Sequence, residues 1–270
     1  MSWLADSSYR VLTGTEFGRI RRGEMCLDRP AVLVTFDDGW LDNWVYAFPI
    51  LQEFGIPAIW FIVTGWAGQG DARQGLLDSR WQSSGHEQAM KAVHGQVSRD
   101  SLVMRWSELR EAQQTGLIDL ESHSHSHGVW WRAASWAEMQ SSLEQDLRQS
   151  GDLMERETGR RPTQFCWPKG QFSHSMVRKA AEEGFMVQDS VIRGNNRPND
   201  NTLVRRINVE DRGASWLKER LNFYHFPFVG KCTGLLHGAI QGRRLKRAYE
   251  GRVPSQEFRF LGGCRVLANS

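Results

Sequence analysis

The 270-residue sequence predicts an α/β fold built on parallel strands, closed as a barrel or left open. Three observations carry this. Short apolar runs rich in β-formers alternate with helical patterns along most of the chain. Those runs are apolar at consecutive positions, as in strands covered on both faces. The chemically unusual residues also cluster where predicted strands end, which is where parallel α/β folds place their sites.

The elements follow in order. Ala31 to Phe36 reads as a buried strand running into Asp37-Asp38-Gly39. Leu41 to Phe54 reads as a helix closed by Gly55, and Pro57 to Val63 as the next strand. Gly65 to Ser101 is polar and contains Gly, Gln and Ser; it is too long for an ordinary connection and marks an insertion over about 65–103. Ser107 to Thr115 is a short helix closed by Gly116, and Leu117 to Ser122 a strand that delivers a histidine cluster. Ser135-Trp136-Ala137-Glu138 is a capping box that starts a helix reaching about Thr158. Its Trp136, Met139, Leu143, Leu147 and Met154 form one apolar stripe, expected in the core. Gln164 to Trp167 is a strand ending in Pro168-Lys169-Gly170. Helix His174–Glu183, strands Phe185–Val191 and Leu203–Val209, and helix Gly213–Phe223 complete the alternation.

The organisation is therefore a domain over 1–223 and an apolar and basic extension over 224–270. In the extension Phe226, Phe228, Val229, Leu235 and Leu236 precede Arg243, Arg244, Lys246 and Arg247. One reading is a solvated basic helix packed on the domain. The other is a peripheral membrane contact through 226–252, since an apolar stretch beside a basic cluster favours anionic lipid.

Composition narrows the function. The net charge is +3, which gives no general affinity for polyanions, so no nucleic-acid partner is expected. Twelve tryptophans suit a Trp-rich core or stacking on sugar rings. Cys26, Cys166, Cys232 and Cys264 are widely spaced without a CxxC, which argues against a zinc knuckle or a disulfide framework. Met1 to Asp6 shows no basic and apolar leader pattern, so the chain as written is expected in the cytoplasm. A start downstream of the natural one would hide a leader or anchor and make a periplasmic or membrane-associated place the expectation.

Three strand ends carry the chemistry. Asp37 and Asp38 are adjacent carboxylates after an apolar strand, costly there unless a cation neutralises them. Adjacent side chains on such a bend point apart, so one can ligate a metal while the other faces substrate. In Glu121-Ser122-His123-Ser124-His125-Ser126-His127-Gly128, His123 and His127 are four apart, so one helical turn would put both imidazoles on one face. An Asp with two His leaves coordination positions open for water and substrate. The third element, Phe165-Cys166-Trp167-Pro168-Lys169-Gly170, offers a fixed turn and a backbone N–H that can face an oxyanion.

The ordered set Thr-Phe-Asp-Asp-Gly, Ser-His-Ser-x-x-His and Phe-x-x-Pro-x-Gly resembles the polysaccharide deacetylases of carbohydrate esterase family four, from about Trp3 to Val209. The resemblance implies a distorted (β/α) barrel and metal-dependent removal of N-acetyl groups from an amino-sugar glycan or a lipid-linked glycan precursor. It makes Asp37 the general base and Asp38, His123 and His127 the ligands of one divalent metal. Zinc is expected first, with cobalt, nickel or iron as alternatives. It assigns the Lys169 N–H to the oxyanion site and places Trp167 beside the sugar, with Pro168, Gly170 and Arg206 as further substrate-binding residues.

Cys166 stands where many relatives carry Arg, which looks more like the biofilm poly-N-acetylglucosamine deacetylase branch; Arg206 is a candidate for that Arg's role. In that branch the acidic His lies on a strand ahead of the first Asp pair, so the chain reads as starting too late to contain it. His125, His174 and His237 are the remaining candidates for the acid. Two other readings stand beside the deacetylase: a metal-containing sugar-binding relative without turnover, and a metal phosphoesterase.

Overall fold

The computed structural model describes residues 1–74, 91, 99–198, 200–209 and 212–266. The inner part of the expected 65–103 insertion lies outside the described residues. The fold is α/β with parallel strands, as predicted, and the chain divides into two compact units.

The first unit comprises Met1–Phe17, Arg29–Ser126 and Ser150–Pro162. Its elements are α1 (Ser2–Ala5), β1 (Arg10–Val11), the start of α2 (Gly14–Arg21), β2 (Ala31–Val32), β3 (Val34–Phe36), α3 (Phe48–Glu53), β4 (Ala58–Ile62), α4 (Trp106–Gln114) and β5 (Ile118–Ser122). β1 and β2 pair in parallel. β3, β4 and β5 form a second parallel set, in register Phe36 to Trp60 to Leu120.

All five residues of β4 are buried, which explains their unbroken apolar run: both faces are covered. Trp60 and Ile62 pack with Leu51, Met104, Trp106, Leu109 and Leu120 in one core. The expected strand from Ala31 to Phe36 is two short strands divided at Leu33, each paired with a different neighbour. The expected helix does start at Leu41, and a π-helical turn, Asn43–Ala47, interrupts it before α3. Pro49, which lacks an N–H, sits in the first turn of α3, the position where that donor is not needed.

The second unit comprises Gly18–Asp28, His127–Gln149 and Thr163–Ser270. It contains β6 (Gln164–Cys166), α6 (His174–Glu182), β7 (Val187–Asp189), α7 (Ala214–His225) and α8 (Pro227–Ala248), and much of α5 (Trp136–Thr158). β6 and β7 pair in parallel. The capping box at the head of α5 is present: Ser135 Oγ accepts the Glu138 N–H, and the Glu138 carboxylate accepts the Ser135 N–H. Met139, Leu143 and Leu147 of its stripe are fully buried beside Phe165, Trp167 and Phe172.

Leu203–Val209 is not a strand. Val204 makes one parallel bridge to Asp189, and the backbone then leaves the ladder. Leu235-Leu236-His237 lies within α8. Leu245, Tyr249, Val253, Phe258 and Leu261 share the core of Phe165 and Trp167, so the C-terminal segment is part of this unit's packing.

A candidate metal centre at the strand ends

Parallel register brings the ends of β3, β4 and β5 to one edge. Val63 N–H donates to the Asp38 carbonyl, and His123 N–H donates to the Ile62 carbonyl. The chain leaving β3 and the chain leaving β5 are thus both tied to the end of β4.

Asp38 adopts a left-handed backbone, φ +75°, followed by Gly39 at +86°. A non-glycine residue there is strained, and such positions concentrate at functional sites. Asp37 and Asp38 each bring a carboxylate oxygen within 4.8 Å of a His123 ring nitrogen. Asp38 Oδ2 accepts the Trp40 indole N–H at 2.9 Å, and Asp38 Oδ1 lies 3.3 Å from His123 Nε2. The His123 side chain is almost fully buried, whereas Asp38 keeps about a fifth of its surface exposed.

The histidine segment is a loop, not the helical turn that its spacing suggested. Ser124 and His127 take left-handed φ values of +74° and +59°. Those reversals, not helical periodicity, bring the i and i+4 imidazoles to a common point. Ser122 Oγ accepts the Ser124 N–H at 3.0 Å and is itself hydrogen bonded to Ser150 Oγ at 2.6 Å, which fixes the start of the loop. Below it, buried Glu121 pairs with Arg160 at 2.9 Å, and Arg160 also donates to the Leu120 carbonyl. These supporting polar partners are absent from the sequence reading. The serine spacing inside the motif is the signal that could have pointed to them.

One donor atom each from Asp38, His123 and His127 lies within 4.8 Å of the others. A carboxylate and two imidazoles form a donor set for a borderline divalent metal. Bonds of ~2.05 Å in tetrahedral array separate ligand atoms by about 3.3 Å, which matches the Asp38 to His123 distance. The residues present fit the group.

The other expected residues fall as follows. Asp37 directly precedes the bend, partly buried. His125, on the same loop, shares a 3.0 Å hydrogen bond between its Nδ1 and Thr64 Oγ1. In the second unit Pro168-Lys169-Gly170 forms a 3₁₀ turn with Lys169 at φ +57° and Gly170 at +63°. The Gly170 and Gln171 N–H groups close that turn.

Trp167 is a correction. Its side chain has no exposed surface; its Nε1 donates to Gln188 Oε1 at 3.0 Å among Phe165, Trp130 and Phe172. A ring enclosed in this way packs the core and has no free face for a sugar. Arg206 donates from Nη2 to Cys166 Sγ at 2.9 Å and from Nε to the Ser190 carbonyl at 3.1 Å. A guanidinium from later in the chain therefore stands at the cysteine that occupies the motif's Arg position.

His174 is held at both ring nitrogens, by the Arg259 carbonyl at 2.6 Å and Cys264 Sγ at 3.2 Å. His237 sits on α8, where burial and then Arg193 push its imidazole below the usual range.

A family model described as polysaccharide deacetylase matches residues 24–187. The chain is 23% identical over 206 residues to the poly-beta-1,6-N-acetyl-D-glucosamine N-deacetylase of Escherichia coli (strain K12). That match covers 68% of this chain and 28% of that protein. It is 24% identical over 235 residues to the protein of the same name from Staphylococcus aureus (strain N315), covering 83% of this chain and 70% of that one. The chain thus spans little more than a quarter of its Escherichia coli relative. Among solved structures it resembles IcaB from Ammonifex degensii, with TM-score 0.63 and 20% identity over 81% of this chain and 84% of that one. It also resembles a de-N-acetylase from Aggregatibacter actinomycetemcomitans, with TM-score 0.64 and 23% identity over 82% and 86%. The likeness to these structures is one of fold.

Proposed function

The chain belongs to the polysaccharide deacetylase family, and from that we propose that it is a metal-dependent hydrolase removing N-acetyl groups from an amino-sugar glycan or its lipid-linked precursor. The observation that carries this reading is the meeting of Asp38, His123 and His127 donor atoms at the strand ends. Both curated relatives are named for poly-β-1,6-N-acetyl-D-glucosamine, so an N-acetylglucosamine oligomer is the first substrate to test.

Amide hydrolysis adds water across the C–N bond, releasing acetate and a free amine. Asp38, His123 and His127 would hold the divalent ion, zinc in the first instance. Such an ion, when bound, acidifies water and polarises the acetyl carbonyl. Asp37, the residue before the left-handed bend, accepts the proton of the attacking water. The Lys169 N–H donates to the oxyanion. Pro168 and Gly170 hold that turn, and Arg206 orients the carboxylate base in place of the arginine that many relatives carry at Cys166. The amine needs a proton to leave, and His125 is the acid candidate whose loop is shared with two of the ligands.

The test is acetate release from N-acetylglucosamine oligomers. Release that stops with a chelator, returns with added zinc, and falls at least ~100-fold in Asp37→Asn with metal content unchanged supports the assignment. Full activity of Asp37→Asn overturns the base. Normal metal and glycan binding with no acetate from any acetylated glycan identifies a non-catalytic relative instead. Phosphate released from sugar phosphates without acetate would identify a phosphoesterase.

A further inference from the structure

Helix α8 is apolar toward solvent, and its glycines explain why. Gly230, Gly234, Gly238 and Gly242 recur every fourth residue and are all buried. A Cβ at Gly238 would stand 2.2 Å from the Gly262 nitrogen, and one at Gly242 would stand 2.4 Å from the Phe258 carbonyl oxygen. Gly238 and Gly242 therefore press onto backbone of the C-terminal turns, while a Cβ at Gly230 or Gly234 would meet the Asn195 or Arg205 side chain. The larger apolar residues lie on the opposite side.

That side is open. Phe228 is 76% exposed, Leu236 65%, Ile240 52% and Leu235 50%; Phe226, in the link from α7, is 64% exposed. Positions 228, 232, 235, 236, 239 and 240 fall on one stripe of the helix. Isolated exposed apolar residues are ordinary, but a continuous run of this size marks a surface that is covered in use. One turn further on, Arg243, Arg244, Lys246 and Arg247 are all exposed, and Lys231 stands near the start. Residues 227–249 contain no Asp or Glu.

We propose that this face of α8, with Phe226, docks on the surface of an anionic phospholipid bilayer. The charge pattern selects this occupant. A second copy on the same face would set two basic clusters together if parallel and, since residues 227–249 hold no Asp or Glu, would give either cluster no counter-charge from that helix if antiparallel, whereas anionic headgroups complement them. The helix would lie in the interface, apolar side chains among the acyl chains and the basic turn among the headgroups. Among the described residues no helix is long and apolar enough to cross a membrane. This inference does not depend on the glycan or the reaction.

The experiment is co-sedimentation of the full chain with vesicles of phosphatidylcholine alone and of phosphatidylcholine with phosphatidylglycerol at about 2:1. The expected result is binding at least ~10-fold stronger to the anionic vesicles, weakening as salt is raised. F228S/L236S should lose ~10-fold or more, and R243Q/R244Q should lose most of the anionic preference. All four side chains are exposed, so circular dichroism and melting should match wild type. The salt titration on wild type provides a readout that needs no variant. No binding to anionic vesicles, or F228S/L236S binding as well as wild type, overturns the proposal. A dimer in solution that the same pair dissociates would overturn it too, since a second copy would then cover the face.

Discussion

At the strand ends single residues hold unusual backbone for a stated purpose. Asp38 takes φ +75° and sets its carboxylate 3.3 Å from His123 Nε2. The proposal gives the two acids different roles, base and ligand, which variants can separate. D38A should purify with far less than the about one metal ion per chain expected of wild type, while D37N keeps its metal; elemental analysis of both variants decides this. Equal metal in D38A and wild type would remove Asp38 from the ligand set. Gly170 makes the second residue-scale case. It sits at φ +63°, and a Cβ there would meet Val191 Cγ2 at 2.2 Å. G170A should lose about 1–3 kcal/mol of stability by urea titration. Adding V191A should restore part of the loss, because the two Cγ contacts go while the left-handed strain and the 3.1 Å contact with the residue-191 Cβ stay. Much of this site was legible in the sequence, because metal ligands and left-handed turns demand particular residue types. Asp-Asp-Gly, two His four apart and Pro-Lys-Gly all stood out. What could not be read was how the spacing was used: a 4-residue interval suits a helical turn, and here two left-handed loop residues achieve the same convergence. The resemblance placed Trp167 beside the sugar, but a motif position does not say which faces of a ring are covered, and this ring is enclosed.

Elements with unbroken apolar character were predicted well. β4 and the capped helix α5 fall within a few residues of expectation, since a strand buried on both faces and a capping box leave strong local signals. Leu203–Val209 misled because its apolar residues pack without a second ladder partner: only Val204 bridges to Asp189. The run from Ala31 to Phe36 reads as one strand, yet its halves pair with different neighbours, a fact that exists only in three dimensions. The start of the inserted segment hid a further element. Arg73 reaches α4, donating from Nε at 2.6 Å and Nη2 at 2.8 Å to the fully buried Glu108, which also accepts the Arg73 and Arg105 N–H groups. Two charged residues in different segments gave no local clue to this pair. Breaking a buried pair leaves one charge uncompensated, so R73A should destabilise by about 3–5 kcal/mol. A shift of the urea midpoint no larger than that of a surface Arg→Ala control would show that Glu108 finds another partner.

For the molecule as a whole the cysteines report on the second unit, to which all four belong. Cys26 and Cys232 are exposed, and Cys166 and Cys264 are buried. The four thiols should therefore divide: Cys26 and Cys232 react with a water-soluble disulfide reagent in the native protein, and all four react in denaturant. Cys264 also sets a pH limit. Burial pushes its thiol up to about 12, from an ordinary 9.0, with Arg178 opposing and Glu257 adding to the shift. The folded chain holds this proton more tightly than the unfolded chain does. The contribution is thus complete below the unfolded value and is lost as pH rises from there through about 12. Stability measured by urea titration should fall between pH 9 and about 12, and C264A should flatten that fall relative to wild type. A native protein in which Cys264 reacts as fast as Cys26 at neutral pH would mean that the C-terminal turns around Leu261 open readily. The same opening would free the backbone against which the Gly238 and Gly242 side of α8 packs. The thiol rate, α8 and its apolar face are therefore tied together: a slow Cys264 is expected wherever the face is held outward for docking.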